Sequence, residues 1–155
     1  MKNDIIKTLL RRDEEEILRL GESDICAVVD WRDGAEEIFA AVAEFLPDGF
    51  LAALPSKDGL LTISANSGAN LEVTVPLKKQ EPFIDSLNRV LSPDYEIRQF
   101  RPCDGDGYSL LVRPASWWSQ FDEKHPEIAE KYFLSTKRLA AYWSKNYFAR
   151  LLSNP

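Results

Sequence analysis

The chain has 155 residues, 45% of them hydrophobic and 28% charged, with a formal net charge of −6. A chain of this size buries about 68–70% of its unfolded surface, so one ordinary core is within reach, and the composition disfavours the disordered and membrane classes. The negative balance is the wrong sign for a sequence-independent grip on phosphate backbones, which disfavours nucleic acid as a partner.

Residues 4 to 20 read as helical: Ile6, Leu9, Leu10, Ile17 and Leu20 recur near a helical period and Gly21 stops the run. The polar cluster Arg11 to Glu16 interrupts that stripe, either as a solvated face or as a break between two helices. Ile25 to Trp31 is a continuous apolar run with β-branched members, the pattern of a strand covered on both faces. Asp33 precedes Glu36 at capping-box spacing and predicts a helix with Ile38, Ala41, Val42 and Phe45 inward. Phe50–Leu54, Leu60–Ala65 and Leu71–Val75 follow as strands separated by turn-rich segments. The alternation of Leu61, Ile63 and Ala65 with Thr62 and Ser64 predicts one wet face.

Glu81-Pro82 opens a further helix with Phe83, Leu87, Val90 and Leu91 inside, and Ser92-Pro93 closes it. Tyr95–Phe100 and Tyr108–Val112 flank a loop rich in turn residues, which predicts an antiparallel hairpin. From Pro114 onward the signals are helical: Ala115–Lys124, Pro126–Phe133 and Thr136–Leu152. The expectation is a single α+β domain over residues 1–155, with a mostly antiparallel five- to six-stranded sheet covered by helices and a helix-rich segment 114–152. Only the first strand-helix-strand step leaves room for a parallel crossover.

Catalytic and metal patterns do not accumulate. The one histidine, His125, stands before Pro126 without the partners that nucleophilic catalysis or zinc would require. Cys26 and Cys103 are far apart in the chain, and Cys26 sits in an apolar run, so free structural thiols are expected. Asp104-Gly105-Asp106-Gly107 begins like a calcium loop but carries Tyr108, Ser109 and Ala115 where a third ligand, glycine and glutamate belong. No glycine-rich phosphate loop or nucleophile elbow is present. No cofactor, metal or catalytic residue is therefore assigned, and the chain is not expected to be an enzyme.

What remains is charge. The first fifty residues hold thirteen acids against six bases, whereas Lys131 to Pro155 holds five bases and no acid. The N-terminus lacks a signal-peptide apolar run and no stretch approaches the ~20 apolar residues of a membrane span, so the expected place of action is the cytoplasm, with no membrane partner. An acidic surface steers association with a basic protein, which makes a protein-binding module the first expectation, in its most specific form an immunity- or antitoxin-type inhibitor. The residues that would carry it are Glu14, Glu15, Glu16, Asp30, Asp33, Glu36 and Glu37, with Trp31 or Trp118 as the apolar anchor. Trp117 and Phe121 share a helix face and Trp118 points about 100° away, so one tryptophan belongs to the core and the other either to a second packing layer or to the surface. Asp30, Arg32 and Asp33, where a buried strand gives way to a helix, form the alternative: a pocket for a small molecule or an enzymatic site. The third expectation is a homodimer through the aromatic C-terminal helices. Leu139, Trp143, Tyr147 and Leu151 recur at helical spacing there, which predicts a last helix docked on the core with its lysines solvated.

Overall fold

The strands carry two hydrophobic patterns, and each pattern has its own sheet. The structure, a computed structural model, describes residues 2–30, 32–55, 58–68, 71–76, 80–103, 107–135, 138 and 141. In chain order they form α1 (Lys2–Arg11), α2 (Glu14–Gly21), β1 (Ala27–Asp30), α3 (Ala35–Ala43), β2 (Leu51–Pro55), β3 (Leu60–Ala65), β4 (Glu72–Pro76) and α4 (Gln80–Leu91). Then come β5 (Tyr95–Phe100), a 3-10 turn at Arg101–Cys103, β6 (Gly107–Pro114), α5 (Ala115–Lys124), α6 (Pro126–Tyr132) and β7 (Phe133–Ser135). The last expected helix, Thr136–Leu152, lies outside the described residues apart from Arg138 and Ala141, which are helical.

The first sheet has the order β1-β6-β5-β7 and the second the order β2-β3-β4, with every pairing antiparallel. Along the inner strand β6, Tyr108, Leu110 and Val112 enter one core while Leu111 enters another. This sheet is therefore covered on both faces, as a continuous apolar run requires. The second sheet is covered on one. Leu61, Ile63, Ala65 and Val75 are buried, whereas the Thr62 and Thr74 hydroxyls meet at 2.8 Å on the half-wet side.

Between the sheets lies α4, which touches β3 and β4 of one and β5 of the other. Its Phe83, Ile84, Leu87, Val90 and Leu91 are all fully buried, because a helix with sheets on two sides has little solvated face left. α3 joins this first core through Ala35, Ile38 and Val42. The second core, on the opposite face of the first sheet, takes Ile5 and Leu9 of α1, Ile17 of α2, Trp118 and Phe121 of α5, and Ala129 and Tyr132 of α6.

Several expectations are corrected. One five- to six-stranded sheet is replaced by sheets of four and three strands, and β1 and β2, flanking α3, fall in different sheets. Periodicity marks strands without naming their neighbours. The 4–20 helix is two helices: Arg12 adopts φ 58° and Asp13 Oδ1 accepts from the Glu16 N–H at 3.0 Å to start the second. Phe133 ends no helix but begins β7, which pairs with the free edge of β5 as Phe100↔Phe133, Gln99↔Leu134 and Arg98↔Ser135. That pairing buries Phe133 in the second core and Leu134 in the first, a gain that outweighs one more residue of helix.

Where β1 meets β6, Gly107 lies so close that a Cβ would collide with the Val29 carbonyl oxygen. Backbone cannot yield as a side-chain tip can. Gly107→Ala is expected to cost at least about 2 kcal/mol in chemical denaturation, with β1 the first element to lose protection; a loss under about 0.5 kcal/mol would contradict this packing.

Candidate functional site

The turn after β1 is built from its own charges. Asp30 Oδ1 accepts from the Arg32 N–H at 2.9 Å and from Arg32 Nε at 3.0 Å, and Oδ2 accepts from Nη2 at 3.1 Å. Asp33 Oδ2 accepts from the Asp30 N–H at 2.8 Å. The capping expected of Asp33 and Glu36 is displaced by one residue: Gly34 is the cap and its N–H donates to Glu37 Oε2 at 2.9 Å. Asp30, Asp33 and Glu37 thus spend their carboxylates locally. Hydrogen bonds from the Arg32 side chain and backbone hold the Asp30 carboxyl down at about 2, against an ordinary 3.8. Trp31 lies outside the described residues.

The N-terminal acids do not form one patch. α2 is seated on the second core and α3 on the first, so Glu14, Glu15 and Glu16 stand on the opposite layer of the four-stranded sheet from Glu36 and Glu37. Glu15 pairs with Arg19 at 3.5 Å and Glu16 with Arg11 at 3.9 Å, whereas Glu14, Glu22 and Glu36 make no ion pair among the described residues. On the outer face of α2, Glu14, Glu15 and Glu22 are exposed around Leu18, itself 49% exposed.

Trp118 is the core member of its pair. It is 0% exposed, its Nε1 donates to Glu96 O at 2.9 Å, and it offers no surface to a partner. Trp117 is half-buried and stacks on Phe121 with centroids 5.0 Å apart. Over the Trp118 ring, at 4.2 Å, lies the guanidinium of Arg98, which donates to Asp122 at 2.6 and 2.7 Å and to Glu96 at 2.7 and 3.3 Å. Burial opposes the Arg98 cation, but the carboxylates of Asp122 and Glu96 outweigh it and hold the group above its usual range.

This arginine cluster has no signal in the sequence. Arg98 and Asp122 are joined only by β5 and α5 meeting across the second core. Beside it are two cavities, one of about 450 Å3 lined by Arg98, Asp122, Glu130, Phe133 and Arg138, and one of about 520 Å3 lined by Asp85, Asn88, Arg89, Tyr95 and Glu96. Ser135 borders both. Asp30, Arg32 and Asp33 line neither; their hydrogen bonds organise a turn.

Cys26 and Cys103 are free thiols; burial and then the charge of Cys103 push Cys26 up to about 12, and burial with the charge of Glu22 raises Cys103. Cys103 Sγ donates to Leu18 O at 3.3 Å. His125 links α5 to α6, half-buried with its ring 5.7 Å from Phe121. Residues 104–106 of the calcium-like loop lie outside the described residues, and no cluster of metal-ligating side chains occurs among those described. No described helix is long and apolar enough to cross a membrane. The chain matches no family model, no curated protein and no solved structure.

Two measurements test this description. Arg98→Met leaves Glu96 and Asp122 facing each other without their cation, and is expected to cost about 2 kcal/mol and shift Trp118 fluorescence; an unchanged melting point would show that the cluster is spent on neither stability nor packing. Asp30, depressed in the folded state, contributes stability above pH 3.8 that is lost as pH falls towards about 2. The acid limb of the stability profile should therefore be shallower in Asp30→Asn over that window, and identical limbs would rule out the Arg32 contact.

Proposed function

We propose that this chain is a protein-binding module that docks a basic partner on the outer face of α2. The observation that supports the reading is Leu18: a large apolar side chain, half exposed, ringed on one helix face by Glu14, Glu15 and Glu22. An apolar contact within a charged rim is the arrangement of a docking patch, with the acids accelerating encounter and the leucine prolonging residence. Glu16 and Glu15 stiffen the patch through Arg11 and Arg19. Asp30, Asp33 and Glu37 are assigned to the turn and the α3 cap, Glu36 to a separate layer, and Trp118 to the core, so the partner surface is smaller than the charge count suggests.

In its most specific form the module is an inhibitor of the immunity or antitoxin type, whose acids cover the basic active site of an enzyme. The test is comparative capture from the native lysate with the wild-type chain and with Leu18→Asp at equal folded concentration. A basic protein should be retained by the first and lost with the second. With that protein in hand, replacing Glu14, Glu15 and Glu22 by Gln should slow association about tenfold at low salt and flatten its salt dependence, while Leu18→Ala should speed dissociation. An unchanged on-rate in the triple variant would discard the α2 face.

A further inference from the structure

Strand β2 is an edge of the three-stranded sheet, paired with β3 on one side. The phase of that pairing is fixed at its start. The Asn66 N–H donates to Phe50 O at 2.7 Å, which makes Phe50 and Asn66 a bonded pair one step before Leu51↔Ala65. Bonded and non-bonded pairs alternate along an antiparallel ladder. Ala52 and Leu54 therefore turn their backbone groups to β3, whereas Leu51, Ala53 and Pro55 turn theirs outward. Pro55, which has no N–H to give, fits that outward set.

Elsewhere the fold closes its edges. At β1 the Asp33 carboxylate and N–H return both bonds to Asp30, and on β5, past the end of β7, Asn88 Oδ1 accepts from the Ile97 N–H at 2.8 Å. β4, the other edge of the three-stranded sheet, carries the exposed charge of Glu72. β2 has none of these devices. Among the described residues no hydrogen bond meets the outward groups of Leu51 and Ala53. Gly49 to Ser56 contains no charged residue, and Leu54 is 69% exposed, more than any other large hydrophobic side chain described. An uncharged apolar edge with unmet amides is a template for another strand.

We infer that the strand it accepts is β2 of a second copy, antiparallel about Ala53, so that two three-stranded sheets join into one of six. The strand itself selects this occupant. Centred on Ala53, all five residues of each β2 lie within the pair: the two Ala53 residues exchange both bonds, and each Leu51 N–H donates to Pro55 O of the other copy. On the outer face each Leu54 lies opposite an exposed Ala52, which leaves it room. The seam carries no charge, so two chains of net −6 meet where neither brings an acid. A foreign strand would have to reproduce both the large-small alternation and the neutrality, which a two-fold axis supplies by symmetry. The axis consumes the β2 edge of both copies, and the assembly closes at two. Leu51 and Ala53 pack on the first core and α2 on the second, so the α2 face stays open in the dimer and the two readings fail independently.

Sedimentation velocity over a dilution series of the full chain tests this. One strand pair is a small contact, so wild type should pass from monomer to dimer, with no larger species, between about 1 and 100 μM. Ala53→Pro removes an N–H that β3 does not use and should be monomeric throughout. Leu54→Lys, with its side chain in solvent, should weaken the dimer at least about tenfold. Leu18→Asp should leave the dimer constant unchanged. In residue-resolved hydrogen exchange the Ala53 amide should gain protection as wild type is concentrated. A wild type still monomeric at about 100 μM, an open-ended series of oligomers, a dimer that survives Leu54→Lys or is lost in Leu18→Asp, or an Ala53 amide indifferent to concentration would each overturn the proposal. Should Ala53→Pro fail to fold, Leu54→Lys and the exchange measurement decide.

Discussion

Burial of β6 on both faces is the constraint from which the rest of the architecture follows. A strand whose Leu110 and Leu111 are both removed from water, on opposite sides, requires two separate covers. One is the α3-α4 layer backed by the three-stranded sheet; the other is assembled from α1, α2, α5 and α6. The two cores have different characters. The first is mostly aliphatic, and the second is aromatic, with Phe100, Trp118, Phe121, Tyr132 and Phe133 in ring contact.

The aromatic core also explains the part-buried charge cluster at Arg98. β5 runs past α5 with Glu96 and Arg98 on the same face, so Trp118 meets the strand through both its indole N–H and its ring. Arg98 is desolvated by that contact, and Glu96 and Asp122 compensate for it. Charge here orders the interface between sheet and helix, and it is a separate matter from the exposed acids of α2.

The same division between internal and external use runs through the N-terminal half. Thirteen acids there look like a field in the sequence, yet Asp13 caps a helix, Asp30 and Asp33 build a turn, and Glu37 satisfies the Gly34 amide. Carboxylates committed to backbone amides are poor material for a partner surface, because leaving those amides unpaired costs as much as the new contact gains. The acids left over are scattered, and Glu14, Glu15 and Glu22 are the ones that share a helix face with an exposed leucine, Leu18.

Local signals were legible in proportion to how locally they are satisfied. The wet face of β3, the start of α4 at the Glu81-Pro82 step, the β5-β6 hairpin, the free thiols and the 115–124 helix depend on neighbours in sequence or on simple burial, and each is found. The split at Arg12 was visible only as an interrupted stripe. The capping at Gly34 was misread by one residue because several acids sit at equivalent spacing and only geometry selects among them.

Composition and periodicity alone determined an α+β fold, the inner faces of most elements and the absence of a transmembrane-length helix among the described residues. Tertiary structure alone decided that the strands divide between two sheets, that Phe133 belongs to a strand, that Trp118 rather than Trp117 is core, that Arg98 finds Asp122, and that the two acid-rich segments lie on opposite layers. The reason is physical: hydrophobic period records which face of an element avoids water, whereas strand neighbours, ion pairs and shared surfaces depend on which elements meet, and that is settled by packing between residues distant in the chain.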